Sequence, residues 1–188
     1  RPDCPPVLHT LPGPFVTTVR RDQGYIDTDV AYTLMSHSDR LYFNAISRAQ
    51  AEQAPVPLRK KIVAIIHHGI DVAGHQMADG KDDYFVTVGR IAAEKNTGLA
   101  AKLCAQLGVP FKIGGIIGNI STPEQLEARL GGAQHQDLKK DILYFRDAVV
   151  PYLQPGKIEY VGSVTGEVKD RLIGRAKAFL MPIAWDEP

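Results

Sequence analysis

Cysteine is scarce in this chain: two in 188 residues, Cys4 and Cys104. That is too few for a disulfide scaffold, and the pair has no metal-ligand spacing. A reducing, cytoplasmic setting is therefore the default expectation. A charge of one sign is also lacking. Lys and Arg total 22 against 21 Asp and Glu, a net charge of +1. The basic excess of a dedicated nucleic-acid binder is absent, as is the low-hydrophobic, one-sided composition of a disordered chain. No apolar run reaches the roughly 18 residues that would cross a bilayer. There is no Walker A sequence, no H-E-x-x-H and no G-x-S-x-G. Internal repeats and low-complexity tracts are missing too.

What is present is an ordinary globular share of hydrophobic residues, 44%. The length suggests one domain or two small ones. The ends are odd. The chain opens on Arg1-Pro2-Asp3-Cys4-Pro5-Pro6 and stops at Trp185-Asp186-Glu187-Pro188, straight after a strand-like run. An α/β domain seldom stops where a helix should begin, so a piece of a longer protein is expected.

Short β-rich runs alternate with helical patterns. Strands are expected at Pro6–Thr10, Leu41–Ser47, Ile62–His67, Tyr84–Gly89, Phe111–Gly114, Ile158–Gly162 and Ala178–Pro182. Most are continuously apolar, as strands covered on both faces are. Helices are expected at Asp29–Ser38, Arg48–Ala54, Lys95–Leu107 and Asp137–Leu153. The third carries Leu99, Leu103 and Leu107 at four-residue spacing and ends at Gly108. The fourth has Leu138, Ile142, Phe145 and Val149 on one face. Thr122-Pro123-Glu124-Gln125 reads as a capping box with proline at the first helical position. Thr165 would cap a last helix running to about Lys177. This cadence means βαβ units and a parallel, doubly wound α/β sheet. The polar stretch Asp71–Asp83 reads as a linker, dividing the chain into roughly 1–75 and 80–188.

Ligands of such sheets bind beyond the carboxyl ends of the strands. The loop after Tyr84–Gly89 reads Gly89-Arg90-Ile91-Ala92-Ala93-Glu94-Lys95-Asn96. Gly89 permits close approach of a ligand. Arg90 and Lys95 can converge on one anion, a guanidinium forking onto phosphate oxygens and an ammonium acting as a point charge. The following helix start adds its dipole. The alternative is two solvated surface cations, one paired with Glu94. The loop Gly162-Ser163-Val164-Thr165-Gly166 is a second strand end, readable also as a plain capped helix. Met181 to Pro188, with the only Trp, is a third, readable as an ordinary loop.

Three weaker signals point elsewhere. Asp27-Thr28-Asp29 spells a metal-binding D-x-D but precedes a helix, where such residues cap. Gly114-Gly115-Ile116-Ile117-Gly118 lacks the spacing of a nicotinamide fingerprint. His67 and His68 are adjacent strand residues facing opposite ways, unsuited to one ion.

The run FVTVGRIAAEKN, then FKIGG, then IEYVGSVTGEVKDRLIGRAKAFLMPIAWDEP resembles the donor-binding domain of family 4 retaining glycosyltransferases. The likeness covers nearly all of 84–188. VLHTLPGPF, YFNAISRAQAEQ and IIHHGIDV look like the end of that family's N-terminal domain. The resemblance implies a GT-B-like fold, with a partial N-terminal α/β domain at 1–75 and a Rossmann-like donor domain at 80–188. It implies that Arg90 and Lys95 hold the diphosphate of a UDP- or GDP-type sugar and stabilise its departure without a metal or other cofactor. Glu187 matches the first Glu of the family's E-x7-E motif, beside the donor sugar. The second Glu and the glycine turn before it fall beyond Pro188. Gly89 and the loop of Gly162, Ser163, Val164 and Thr165 match donor-lining positions, and Gly69-Ile70-Asp71 the crossing between domains. The family's acceptor-side histidine has no counterpart in 1–75. His9 reads as a structural or cleft-lining residue, and Gly118–Gln136, which departs from the family pattern, receives no role.

The expected function is transfer of a sugar from a nucleotide-diphosphate donor to an acceptor hydroxyl, with retention. A nucleotide-sugar epimerase or hydrolase on the same fold, or an inactive nucleotide-binding fragment, are the alternatives. These 188 residues alone are expected to bind donor weakly or not at all and to transfer nothing. Nothing in the pattern sets the nucleobase, the sugar, the acceptor or the oligomeric state.

Overall fold

The computed structural model describes residues 5–10, 34–74, 78, 80–131 and 139–184. The chain divides into two compact units, the first reaching Ile70 and the second beginning at Asp71. The first half of the expected helix at Asp29–Ser38 falls outside the described residues, residues 34–36 are helical, and Asp27-Thr28-Asp29 falls wholly outside them. Among the described residues, no helix is long and apolar enough to cross a membrane.

The first unit holds three parallel strands side by side in chain order: β1 (Val7–Thr10), β2 (Leu41–Ala45) and β3 (Ile62–Ile65). β2 is central, and its Phe43 and Ala45 pack with Ala54 and Leu58 of the connecting segment. That segment contains α1 (Arg48–Gln53) and the single turn α2 (Val56–Arg59). Ser47 caps α1 by accepting from the Gln50 amide at 3.0 Å. The buried Gln50 side chain reaches back and accepts from the Ile46 amide at 2.7 Å. This reciprocal arrangement satisfies donors that a helix start would otherwise leave unpaired. His67 is placed by a 2.9 Å contact between its Nδ1 and the Ile46 carbonyl, so it serves the backbone of β2's end.

The second unit is built on β4 (Phe85–Val88), β5 (Phe111–Gly114), β6 (Ile158–Gly162) and β7 (Ala178–Phe179), all parallel. Their spatial order is β6-β5-β4-β7. The chain steps outward from β4 to β6, then returns to the opposite side of β4. The intervening helices are α3 (Thr97–Leu107), α4 (Pro123–Gly131), α5 (Lys140–Ala148) and α6 (Gly166–Gly174). Phe85 joins the large cluster built from α3, α4 and α5, while Val86 and Val88 join a small one with Tyr84, Leu172 and Ala176. Successive strand residues face opposite ways, so α3 to α5 cover one face and α6 the other. Lys112 of β5, paired with Val86, and Glu159 of β6, paired with Lys112, break the apolar run on the α6 face.

Strand and helix bounds shrink slightly from those expected. α3 begins at Thr97, and Ala93–Lys95 forms a separate 3₁₀ turn. Its face is also different. Leu99, Leu103 and Leu107 are 41%, 46% and 74% exposed, and the buried residues are Thr97, Gly98, Ala100, Ala101 and Cys104. Small residues win because α3 packs closely on α5. A Cβ on Gly98 would lie 2.7 Å from the Ala148 carbonyl oxygen and 2.9 Å from its Cβ. Cys104 is a buried core thiol, and burial pushes its pKa up.

The capping box at α4 forms much as the sequence suggests. Thr122 Oγ1 accepts from the Gln125 amide at 3.3 Å, and Gln125 Oε1 accepts from the Ser121 amide at 2.8 Å. The long helix expected at Asp137–Leu153 is instead α5 followed by a 3₁₀ turn at Val150–Tyr152, with Pro151 inside that turn. Ile142, Phe145 and Val149 are buried as the periodicity requires. Leu138 falls outside the described residues.

Gly98→Ala should cost about 1–3 kcal/mol of stability by overpacking the α3–α5 contact. Gly131→Ala, where a Cβ meets nothing within 4 Å, should be neutral or slightly stabilising. Urea unfolding of the two variants checks this; equal midpoints would mean the close approach is not a constraint.

Candidate functional site

The point where the strand order reverses lies between β4 and β7, and crevices at such points take ligands in open α/β sheets. A cavity of about 150 Å³ opens there, lined by Thr87, Val88, Gly89, Arg90, Ile91, Lys95, Thr97, Phe179 and Met181. Gly89, Arg90 and Lys95, expected to act together, thus line one cavity. Its volume falls well below the about 300–1,000 Å³ of a pocket for a complete small-molecule ligand.

Backbone constraints bring these residues to the cavity. Gly89 donates its amide to the Gly114 carbonyl at 3.0 Å, and Ile91 donates to Ile116 at 2.9 Å, so the β4 and β5 end loops run together past the sheet. They come so close that a Cβ on Gly115 would sit 1.7 Å from the Gly89 carbonyl oxygen. Only glycine fits there, and its φ of +146° suits glycine as well. Tyr160 donates its hydroxyl to the Gly115 carbonyl at 2.7 Å from within the core. Gly118, at φ +62°, closes the tight turn in which Ile117 and Ile120 pair. The glycine-rich run after β5 is therefore consumed by backbone geometry. Beside Gly89 itself, a Cβ would meet nothing within 4 Å, so that flank of the cavity is open.

Beyond Gly89 the chain makes its 3₁₀ turn and enters α3 through Asn96. Asn96 is the one non-glycine residue at positive φ among the described residues, +53°. The α3 start is partly occupied from inside the protein: the Gly98 amide donates to the Tyr144 hydroxyl at 2.9 Å. The segment after β7 closes the other side, with the Ala184 amide donating to the Glu94 carbonyl at 2.9 Å.

Arg90 is not a bare cation. Its Nη2 pairs with Glu94 Oε1, and its Nη1 lies 3.4 Å from Asp141 Oδ2. Partial burial works against the Arg90 charge, but the hydrogen bond and field of Glu94, with Asp141 behind, hold its pKa above the usual value. Burial would raise the Glu94 carboxyl. Its own backbone amide, Arg90 and the more distant Lys140 together hold it below the ordinary range. Asp141 was not legible as a site residue. It stands 51 positions from Arg90, and only the packing of α5 on α3 brings it near.

The other expected residues are placed elsewhere. Val164 lines a different cavity of about 300 Å³, along α6, with Tyr84, Lys112 and Arg175. β5 stands between β4 and β6, so the Gly162–Thr165 loop does not share the Arg90 cavity. Its backbone is partly engaged: Ser163 donates to the Ser121 carbonyl at 2.7 Å, and Gly162 accepts from Gly115 at 2.8 Å. Thr165 stands before α6 in extended conformation but makes no side-chain cap. Glu187 lies outside the described residues. No group of three His, Cys, Asp or Glu that could hold a metal ion occurs among the described residues.

No protein-family model matches the chain, and no curated protein matches it. Among solved structures it is similar to a chain described as "Crystal structure of AviGT4, a glycosyltransferase involved in Avilamycin A biosynthesis". That likeness has a TM-score of 0.49 at 17% identity, over 85% of this chain and 53% of the other. The chain thus spans about half the length of that structure.

Tyr160 anchors the platform behind Gly89, and burial pushes its phenol up to about 12. The folded protein favours the neutral phenol, whose unfolded pKa is about 10. Its contribution is therefore complete below pH ~10 and is lost as pH rises toward 12. Ultraviolet titration should show one phenolate appearing near that value. Tyr160→Phe should abolish it and cost about 1–3 kcal/mol by leaving the Gly115 carbonyl unpaired.

Proposed function

We propose that the second unit holds the diphosphate of a nucleotide-sugar donor, and that the protein is a glycosyltransferase of GT-B-like, doubly wound architecture. It would pass the sugar to an acceptor hydroxyl with retention and without a metal. The observation supporting this reading most directly is the gathering of Gly89, Arg90 and Lys95 around one small cavity at the reversal of strand order.

The chemistry follows from charge. Breaking the bond between sugar and diphosphate leaves negative charge on the departing oxygens. A fixed guanidinium and ammonium beside those oxygens stabilise the transition state more than the ground state, which is what accelerates a reaction. Glu94 and Asp141 each meet one terminal nitrogen of Arg90. A guanidinium has five N–H donors, so donors remain for phosphate oxygens. The cavity's size suits the diphosphate alone. Nucleoside and sugar would extend past it. Glu187 would position the donor sugar.

In the full-length protein, Arg90→Ala and Lys95→Ala should each lower kcat by about 10²–10³, measured as sugar transfer to acceptor. Near-normal turnover in the double variant would end this assignment. Incubation with donor alone is the companion measurement. Free sugar or an epimer formed without acceptor would move the reading to a hydrolase or epimerase.

A further inference from the structure

Arg90 has two carboxylate partners, and they differ. Glu94 is four residues on, within the same loop, and in direct ion pair with Nη2. Asp141 belongs to the first turn of α5 and stands 3.4 Å from Nη1. That is long for a charge-assisted hydrogen bond, which usually measures about 2.7–2.9 Å. The Arg90 side chain is 56% exposed and Asp141 20%. A long, partly exposed pair of this kind contributes little to folding.

Charge balance suggests what it does instead. Arg90 and Lys95 bring two positive charges to the cavity; Glu94 and Asp141 bring two negative ones. Lys140, beside Asp141 in sequence, adds a further positive field at Glu94. An incoming anion can use the remaining donors of Arg90, but it gains Nη1 in full only by displacing Asp141. A singly charged carboxylate would only replace one carboxylate with another. A diphosphate offers more charge and more oxygens than the long Asp141 contact supplies.

The geometry points to Asp141 as an exchangeable internal anion, a specificity-determining residue that occupies Nη1 of Arg90 until a multiply charged ligand displaces it. Glu94 keeps its hold and orients the guanidinium throughout. This rests on the reading of Arg90 as an anion-binding residue. On that basis Asp141 makes the site selective for diphosphates over monoanions, at some cost in affinity.

The test uses the whole 188-residue chain, titrated with inorganic pyrophosphate and followed by calorimetry in every variant, with NMR of the Arg90 side-chain N–H added where Arg90 is present. Asp141→Asn should bind pyrophosphate roughly three- to fivefold more tightly, the scale of one exposed ion pair. Asp141→Ser, which also suits a helix first turn, should do the same if the Asn variant is poorly folded. In an Arg90→Gln background the gain from Asp141→Asn should vanish, because the coupling runs through the guanidinium. Unchanged or weaker binding in both Asp141 variants would overturn the exchange. So would an equal gain without Arg90, which would mean a diffuse charge effect. If wild type and Arg90→Gln respond to pyrophosphate identically, the anion role of Arg90 itself fails, and the exchange with it.

Discussion

The close approach of two strand-end loops governs the second unit. Gly115 passes so near the Gly89 carbonyl that no side chain could stand between them. The paired loops extend the β4–β5 ladder past the sheet, through Gly89 to Gly114 and Ile91 to Ile116. Tyr160 holds the Gly115 carbonyl from the core. With that platform set, Arg90 leaves the sheet at a defined place, beside the end of β7. A looser crossing would leave the cavity walls free to drift.

Helix α5 is the second organising element. One face buries Ile142 and Phe145 in the core. Ala148 meets Gly98 and fixes how closely α3 can lie. Tyr144 accepts from the Gly98 amide and so satisfies one donor of the α3 start. Asp141 reaches Arg90. A helix from the middle of the unit thus shapes a site whose main residues all come from the β4–α3 loop. Burial raises the Tyr144 phenol, and Glu94 adds to that against the pull of the Gly98 amide, so the hydroxyl keeps its proton.

Much of the architecture could be read from local pattern. Phe111–Gly114 and Ile158–Gly162 are strands over the expected residues, with Phe111, Ile113, Ile158 and Tyr160 buried at the two-residue spacing that a strand gives. The capping residues at Thr122 and Gln125 did what their spacing suggests. The face of α3 was misjudged. Three leucines at four-residue spacing outweigh alanine and glycine on any hydropathy count. Yet the helix had to approach α5 at backbone distance, and only its small-residue face permits that. The leucines remain exposed. The glycines after β5, which lack the spacing of a nicotinamide fingerprint, serve a chain crossing.

The sequence by itself determined the alternation of parallel strands and helices, and placed a glycine, an arginine and a lysine just past a strand end. These are local matters: side-chain periodicity, backbone freedom at glycine, and charge within one loop. Only the tertiary structure decided which strands neighbour β4, and therefore that the loop borders a crevice. Only it separated the Val164 loop from the Arg90 cavity by an intervening strand. It also brought Asp141 to Arg90, which no local spacing encodes. The physical reason is that contact across the fold depends on how closely two helix surfaces pack, and that is set by groups on both of them at once.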